Sequence, residues 1–396
     1  MVDSLRHQIF FSDHLIFLLV LFVPFYWIHS GPETLFVLSA LAFALGISLI
    51  AKLVYERLGK RSLAVLFALV FGLNRYVWGA FLHEFHPDFF APCFFFLLFF
   101  SVYKNWSVGF WVSLFLVLIT KEDYALYLIP LGVYFMIDRK TRIRGFWVLI
   151  ASVVYASFAF KWWLPYFYEM AGKTGSYSYA GSWGHLGNGF GEIAKTVLTH
   201  PAALFGNLSY QPMINLFLKF LFLPFAAPLT LIFLLPPLFL NASCGFPLIR
   251  NLSIHYGLIP AAFAFLAAIE GVRRIQKKNE PLAVLIIVVL IIVGLPRFSF
   301  FIPQRESAIL RDKAGEWIQK EPMCVQSSLY PHLPVSHETS VYPECSGAAK
   351  FLLLNPKAEM YPLSKSEFDE HSAGISKEGK WKLIKEEGAL LLFERN

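Results

Sequence analysis

The stretch His83-Glu84-Phe85-His86-Pro87-Asp88 holds two imidazoles and two carboxylates. The histidines are three residues apart, a spacing that suits a divalent metal ion, and Glu84 or Asp88 could instead act as a base. Pro87 fits the first turn of a helix, where Asp88 would meet the positive end of the dipole. A capped interfacial turn is the plain alternative. A second cluster is Thr120-Lys121-Glu122-Asp123. Lys121 could hold a phosphate, while Glu122 or Asp123 accepts a proton or pairs with it. An ordinary outer turn would use the same residues. Asp13-His14 and His255-Tyr256 are smaller polar pairs, and the second also suits an interfacial anchor.

These clusters punctuate apolar runs. The chain has 396 residues, 57% hydrophobic and 15% charged, against about 25% charged in soluble domains. A hydrocarbon core of ~30 Å needs roughly 20 apolar residues in a helix. Spans are expected near 33–55, 62–82, 88–103, 106–120, 123–137, 145–165, 213–226, 228–241, 255–272 and 281–297. The fold class is thus an α-helical polytopic membrane protein of about ten spans. The spans flanking Lys121 are short, as in membrane proteins whose interrupted helices end in a cavity.

The net charge of +7 does not point to nucleic acid, because the basic residues sit in short loops and form no aromatic-interleaved patch. Arg57, Lys60 and Arg61, then Lys104, then Arg139 to Arg144, then Arg273 to Lys278 all face the cytoplasm by the positive-inside rule. Two assignments follow from keeping every basic loop on that side. Residues 213–241 form a hairpin broken at Pro224 and Pro228, and Leu15 to Ile28 lies on the outer face as a re-entrant or interfacial segment. The start is polar, and no small-residue cleavage site follows Leu15 to Ile28, so no cleavable leader is expected. All four polar clusters then share the outer face.

Residues 1–302 form the membrane domain, with a long outer loop at 166–212 rich in Gly, Ser, Tyr and Trp, expected as an ordered lid. Residues 303–396 form a small extracytoplasmic α/β domain. A helix is expected over Glu306 to Gln319. Strands are expected near Cys324 to Ser328, Lys350 to Leu354, Trp381 to Lys385 and Ala389 to Glu394, with a turn at Glu387-Gly388. Cys324 and Cys345 each open a strand in an oxidising compartment, which permits a disulfide; Cys93 and Cys244 lie in or near spans.

Five stretches in order carry a resemblance: Asp13-His14-Leu15, Glu84-Phe85-His86-Pro87, Lys121-Glu122-Asp123, His255-Tyr256 and Ser327 to Pro334, which contains His332. The chain resembles the prokaryotic membrane-protein family named domain of unknown function 2079, grouped with the glycosyltransferase-C superfamily. The resemblance implies transfer of a sugar from a polyprenyl-phosphate carrier at the outer face of the inner (plasma) membrane. It implies base or metal-ligand roles for Glu84, Asp88 or Asp13. Substrate contacts fall to His83, His86, Lys121, Glu122, Asp123, His255, Tyr256 and His332. Family members begin with a further span and an Asp-bearing outer loop, and this chain starts just after that region. The expectation is an N-terminally short member that lacks the usual base, for which Asp13 is a poor substitute; a start codon placed too late and a truncated, inactive remnant both fit. Two other functions fit the residues: a non-catalytic membrane scaffold, and a transporter.

Overall fold

The computed structural model describes residues 2–3, 8–31, 33–82, 85–173, 178–252, 254–296, 309, 314–319, 321–330, 333, 339–358, 360, 363, 365–377 and 380–396. Helix accounts for 70%, with a small sheet at the C-terminal end. The chain divides into one unit of Phe11–Phe300 and another of Met1–Phe10 with Phe301–Asn396.

The larger unit carries α1 (Glu33–Leu58), α2 (Arg61–Gly72), α3 (Arg75–Phe81), α4 (Ala91–Tyr103), α5 (Ser107–Thr120), α6 (Tyr124–Ile137), α7 (Arg142–Phe158), α8 (Phe190–Thr199), α9 (Tyr210–Lys219), α10 (Leu231–Ala242), α11 (Leu258–Gln276) and α12 (Glu280–Gly294). Side chains cap two starts: Asn74 Oδ1 accepts from the Tyr76 amide and Asn279 Oδ1 from that of Leu282. A π-turn, Ala159–Trp163, lets α7 run on to Met170.

Among the described residues, three helices are long and apolar enough to cross a membrane: Glu33–Leu58, Arg142–Met170 and Pro247–Gln276. A fourth is added if α2 and α3, bent by 46°, count as one span. This corrects the expectation of about ten spans. The remaining apolar runs form helices of 10–17 residues. At 1.5 Å per residue these reach at most about 26 Å, less than the ~30 Å hydrocarbon core. Apolarity along α4 has another cause: it is buried from Ala91 through Phe96 and again at Leu98, Phe99 and Val102. A helix enclosed by protein is apolar all round whether or not it crosses a bilayer. Every residue of α11 from Leu258 to Val272 is likewise buried.

The chain reverses between α9 and α10 through Leu221 and Phe222, both with φ near +50°. The Ser209 amide donates to the Ala242 carbonyl at 2.9 Å, so the two ends meet. The segment after Leu15 is a 3-10 turn, Phe17–Phe22, and a short helix, Val23–Tyr26. Leu15 itself is buried against Ala159 and Leu164.

Arg57, Lys60, Lys104 and Arg273 gather at one end of the bundle. Glu270 binds Arg57 at 2.5 Å and Arg273 at 2.8 Å, Lys104 binds Glu56 at 2.6 Å, and Lys60 binds Glu280 at 3.3 Å. Lys104 and Arg273 close α4 and α11, whereas Asp88 and His255 lie just before the starts of the same helices. The candidate chemistry and the basic end therefore lie a helix length apart.

The smaller unit has β1 (Val2–Asp3) paired with β2 (Gln8–Ile9), and a five-stranded sheet of order β4-β3-β5-β7-β6. Its strands are β3 (Met323–Val325), β4 (Thr339–Val341), β5 (Phe351–Leu354), β6 (Trp381–Glu387) and β7 (Leu390–Arg395). β3 is parallel to β4 and β5; β7 is antiparallel to β5 and β6. The terminal hairpin turns at Gly388, φ +67°. Helix α13 (Lys365–Lys377) covers one face through Phe368 and Ile375. A disulfide joins Cys324 to Cys345. Of the helix expected over 306–319, Ala314–Trp317 is helical; most of the remainder lies outside the described residues.

Helices α6 and α7 meet through glycines. A Cβ on Gly132 would stand 2.8 Å from the Leu149 nitrogen, and one on Gly145 would stand 2.6 Å from the Met136 nitrogen. Small residues allow this approach between apolar helices, and neither backbone can yield to a side chain. Gly145→Val should therefore cost about 1–3 kcal/mol by overpacking. The expected outcome is a clearly lower unfolding temperature in detergent than for Gly79→Ala, a helical position with open space around it.

Candidate functional site

Asp88 lies in a 3-10 turn, Pro87–Phe90, that leads into α4. It is only 4% exposed, and Lys121 only 7%. A buried carboxylate is costly unless compensated. Three cationic or polar groups from distant parts of the chain, with a near neighbour, supply the compensation. His86 Nδ1 is 2.7 Å from Oδ2, and Lys121 Nζ and His255 Nε2 are each 3.7 Å from the same oxygen. Tyr124 donates its hydroxyl to Oδ1. The imidazoles of His86 and His255 stack at 3.7 Å with planes 12° apart, and Tyr256 packs on His255 at 4.1 Å.

The neighbouring acids are held differently. Glu122 binds His14 Nδ1 at 2.8 Å through Oε1 and accepts from the Leu15 amide at 2.9 Å through Oε2. This pair fastens the N-terminal segment to the turn between α5 and α6. Asp13 faces Lys173 at 3.1 Å, and Lys173 also reaches the Ser12 hydroxyl at 3.3 Å. Asp123 Oδ1 is buried and has no hydrogen-bond partner among the described residues. Burial pushes the Asp123 carboxyl up to about 6; the Lys121 ammonium opposes this, while the Glu122 and Asp88 carboxylates add to it.

A cavity of about 120 Å³ joins these groups. Its polar lining includes Asp88, Lys121, Asp123, His255 and Tyr256. Its apolar lining includes Phe160 and, from the long loop, Trp183, Phe190 and Ile193. Trp183 is held in place by its Nε1, which donates to the Leu240 carbonyl at 2.9 Å. Tyr127 and Asn241 complete one side, with the Tyr127 hydroxyl donating to Asn241 Oδ1 at 3.2 Å.

The structure thus brings together Asp88, His86, Lys121, Glu122, Asp123, His255 and Tyr256. Asp13 is close in sequence to the site but bonds to Lys173 and does not line the cavity. His83, Glu84 and His332 lie outside the described residues. Sequence reasoning missed Tyr124, Tyr127, Asn241 and the cavity face of Trp183. Tyr124 sits one residue beyond the flagged Lys121-Glu122-Asp123 cluster, and Trp183 belongs to the loop flagged as a lid. Asn241 closes an apolar run and carries no signal of its own.

His86, Asp88 and His255 offer ligand atoms within 4.8 Å of one another. A metal lies near the plane of each imidazole that binds it, so two nearly parallel rings cannot share one ion unless one turns. Lys121 already supplies positive charge at the same carboxylate. The arrangement suits an anion lodged beside Lys121 better than a second cation beside Asp88.

Asp88→Asn should leave Lys121 as a buried charge without its partner and cost about 3–5 kcal/mol. Asp13→Asn breaks a partly exposed pair and should cost less than about 1 kcal/mol. Thermal unfolding of the two purified variants checks the contrast.

No curated protein and no solved structure matches the chain. The family model described as "Predicted membrane protein (DUF2079)" matches residues 1–319. That match spans most of the sequence, and the helices able to cross a membrane agree with its description. The chain belongs to the predicted membrane protein family DUF2079.

Proposed function

We propose that this protein is a glycosyltransferase of the glycosyltransferase-C type, which takes a sugar from a polyprenyl-phosphate carrier in the cavity beside Asp88 and Lys121. One observation carries the proposal. Lys121 is buried and neutralises Asp88 at 3.7 Å, a distance beyond hydrogen-bond reach. Its ammonium therefore balances the carboxylate while keeping donor capacity for an incoming phosphate. Positive charge at that position stabilises the leaving phosphate as the sugar departs. The surrounding Phe160, Trp183 and Phe190 suit the apolar and ring faces of a lipid-linked sugar. Asp88 acts here as the organiser of Lys121, His86 and His255.

The site faces the outside of the inner (plasma) membrane in this proposal. Support comes from the basic residues at the opposite ends of α4 and α11, which the positive-inside rule assigns to the cytoplasm. The Cys324–Cys345 disulfide supports an extracytoplasmic C-terminal domain over 303–396. Residues 1–302 then form the membrane domain, and the loop over 166–212 closes the cavity. A transporter would place its charges near the midplane of paired repeats, and the cluster at the ends of α4 and α11 does not favour that arrangement.

Undecaprenyl phosphate is the probe. Lys121→Gln should weaken its binding about tenfold to a hundredfold, the worth of one charge-assisted hydrogen bond. Lys121→Arg should retain most of the binding. Fluorescence titration of the purified full chain in nanodiscs reads this, since Trp183 lines the cavity. Equal binding by wild type and Lys121→Gln overturns the proposal.

A further inference from the structure

The cavity has four acids in or near it, and the structure separates their duties. Asp88 is fully engaged by His86, Lys121, His255 and Tyr124. Glu122 holds His14 and the Leu15 amide. Asp13 is bound to Lys173. Asp123 lines the cavity, yet its side chain accepts no hydrogen bond among the described residues, and Oδ1 is shut away from solvent. A buried carboxylate oxygen without a donor is an expensive arrangement. It is relieved when the side chain turns to accept from a hydroxyl group that has entered the cavity.

We propose that Asp123 is the catalytic base that takes the proton from the acceptor hydroxyl. This assignment rests on the transferase proposal above and adds the residue that completes the reaction. The acceptor O–H bond breaks, with its proton passing to the Asp123 carboxylate. The freed oxygen forms a bond to the anomeric carbon as the carbon–oxygen bond to phosphate breaks. That electron pair leaves on the phosphate, beside Lys121. Asp123 later gives its proton to water.

The position of Asp123 suits this work. It precedes α6 in the turn outside the helices, in sequence contact with Lys121 and Glu122. Asp88 approaches from the turn before α4, His14 from the N-terminal segment, and Tyr127 from α6. With the carboxyl raised to about 6, it is ionised at neutral pH and still basic enough to accept a proton. A base acts in its ionised form, so activity should rise as pH climbs through that value and be lost below it.

The test uses the full chain in nanodiscs with undecaprenyl phosphate carrying labelled glucose, mannose or arabinose, and with water or glycerol as acceptor. Wild type should release sugar with an acidic limb near pH 6. Asp123→Asn should lower kcat by about 10²- to 10⁴-fold, leave KM for the donor within threefold, and erase the acidic limb. Asp123→Glu should recover part of the rate. Binding of undecaprenyl phosphate by Asp123→Asn at wild-type strength or tighter shows that the cavity is intact. A variant that keeps kcat within threefold of wild type, with the limb unchanged, overturns the role of Asp123 and leaves the transferase proposal standing. No release by wild type from any of the three donors overturns the transferase proposal, and the role of Asp123 with it.

Discussion

The structure turns on a carboxylate buried at one end of a helical bundle. Asp88 loses its hydration on folding, and that loss is made good only if compensating groups arrive from elsewhere in the chain. Four groups come from three places: His86 beside it, Lys121 and Tyr124 where the turn after α5 runs into α6, and His255 ahead of α11. This requirement fixes where α4, α6 and α11 begin relative to one another. It also accounts for the polar turns that interrupt the apolar sequence before α4 and between α5 and α6. A charge cluster that must sit together at one level cuts the runs that meet it.

The opposite end of the same helices follows a related logic with a different outcome. Glu270 is clamped by Arg57 and Arg273, with the Arg57 guanidinium over the Tyr103 ring at 4.0 Å. There the ion pairs and the ring contact tie α1, α4 and α11 together. The Asp88 end combines buried charge with open volume and an aromatic lining. Between the two ends the packing is apolar and close, down to the glycine contact of α6 with α7. Rigid packing of this kind is what holds a charged cavity to a fixed geometry.

Much of the site was legible in the sequence because charge inside an apolar run is conspicuous. Asp88, Lys121 and His255 stood out for that reason, and the structure brings them to one carboxylate. The division of labour among the acids was not legible. Glu122 and Asp123 are adjacent in sequence, yet one is bound by His14 and the other has an oxygen without a donor. Only the fold decides which. The span count failed for a physical reason too. Hydropathy does not distinguish a helix wrapped in protein, such as α4, from one wrapped in lipid. In the C-terminal domain the Gly388 turn was visible from its residue type, whereas β4 and α13 were not. β4 is three residues long, and α13 draws its burial from two side chains, Phe368 and Ile375, too sparse a pattern to mark a helix.

The central claim is that Asp88, Lys121 and His255 form one anion-receiving cavity closed by the long loop. An electron cryomicroscopy structure in nanodiscs with undecaprenyl phosphate tests it most directly. The account predicts phosphate density within hydrogen-bond reach of Lys121 Nζ, under Trp183, with Asp88 still against His86. Density for the headgroup at the Arg57–Glu270 end, or Lys121 and Asp88 lying apart in the bound state, would contradict it.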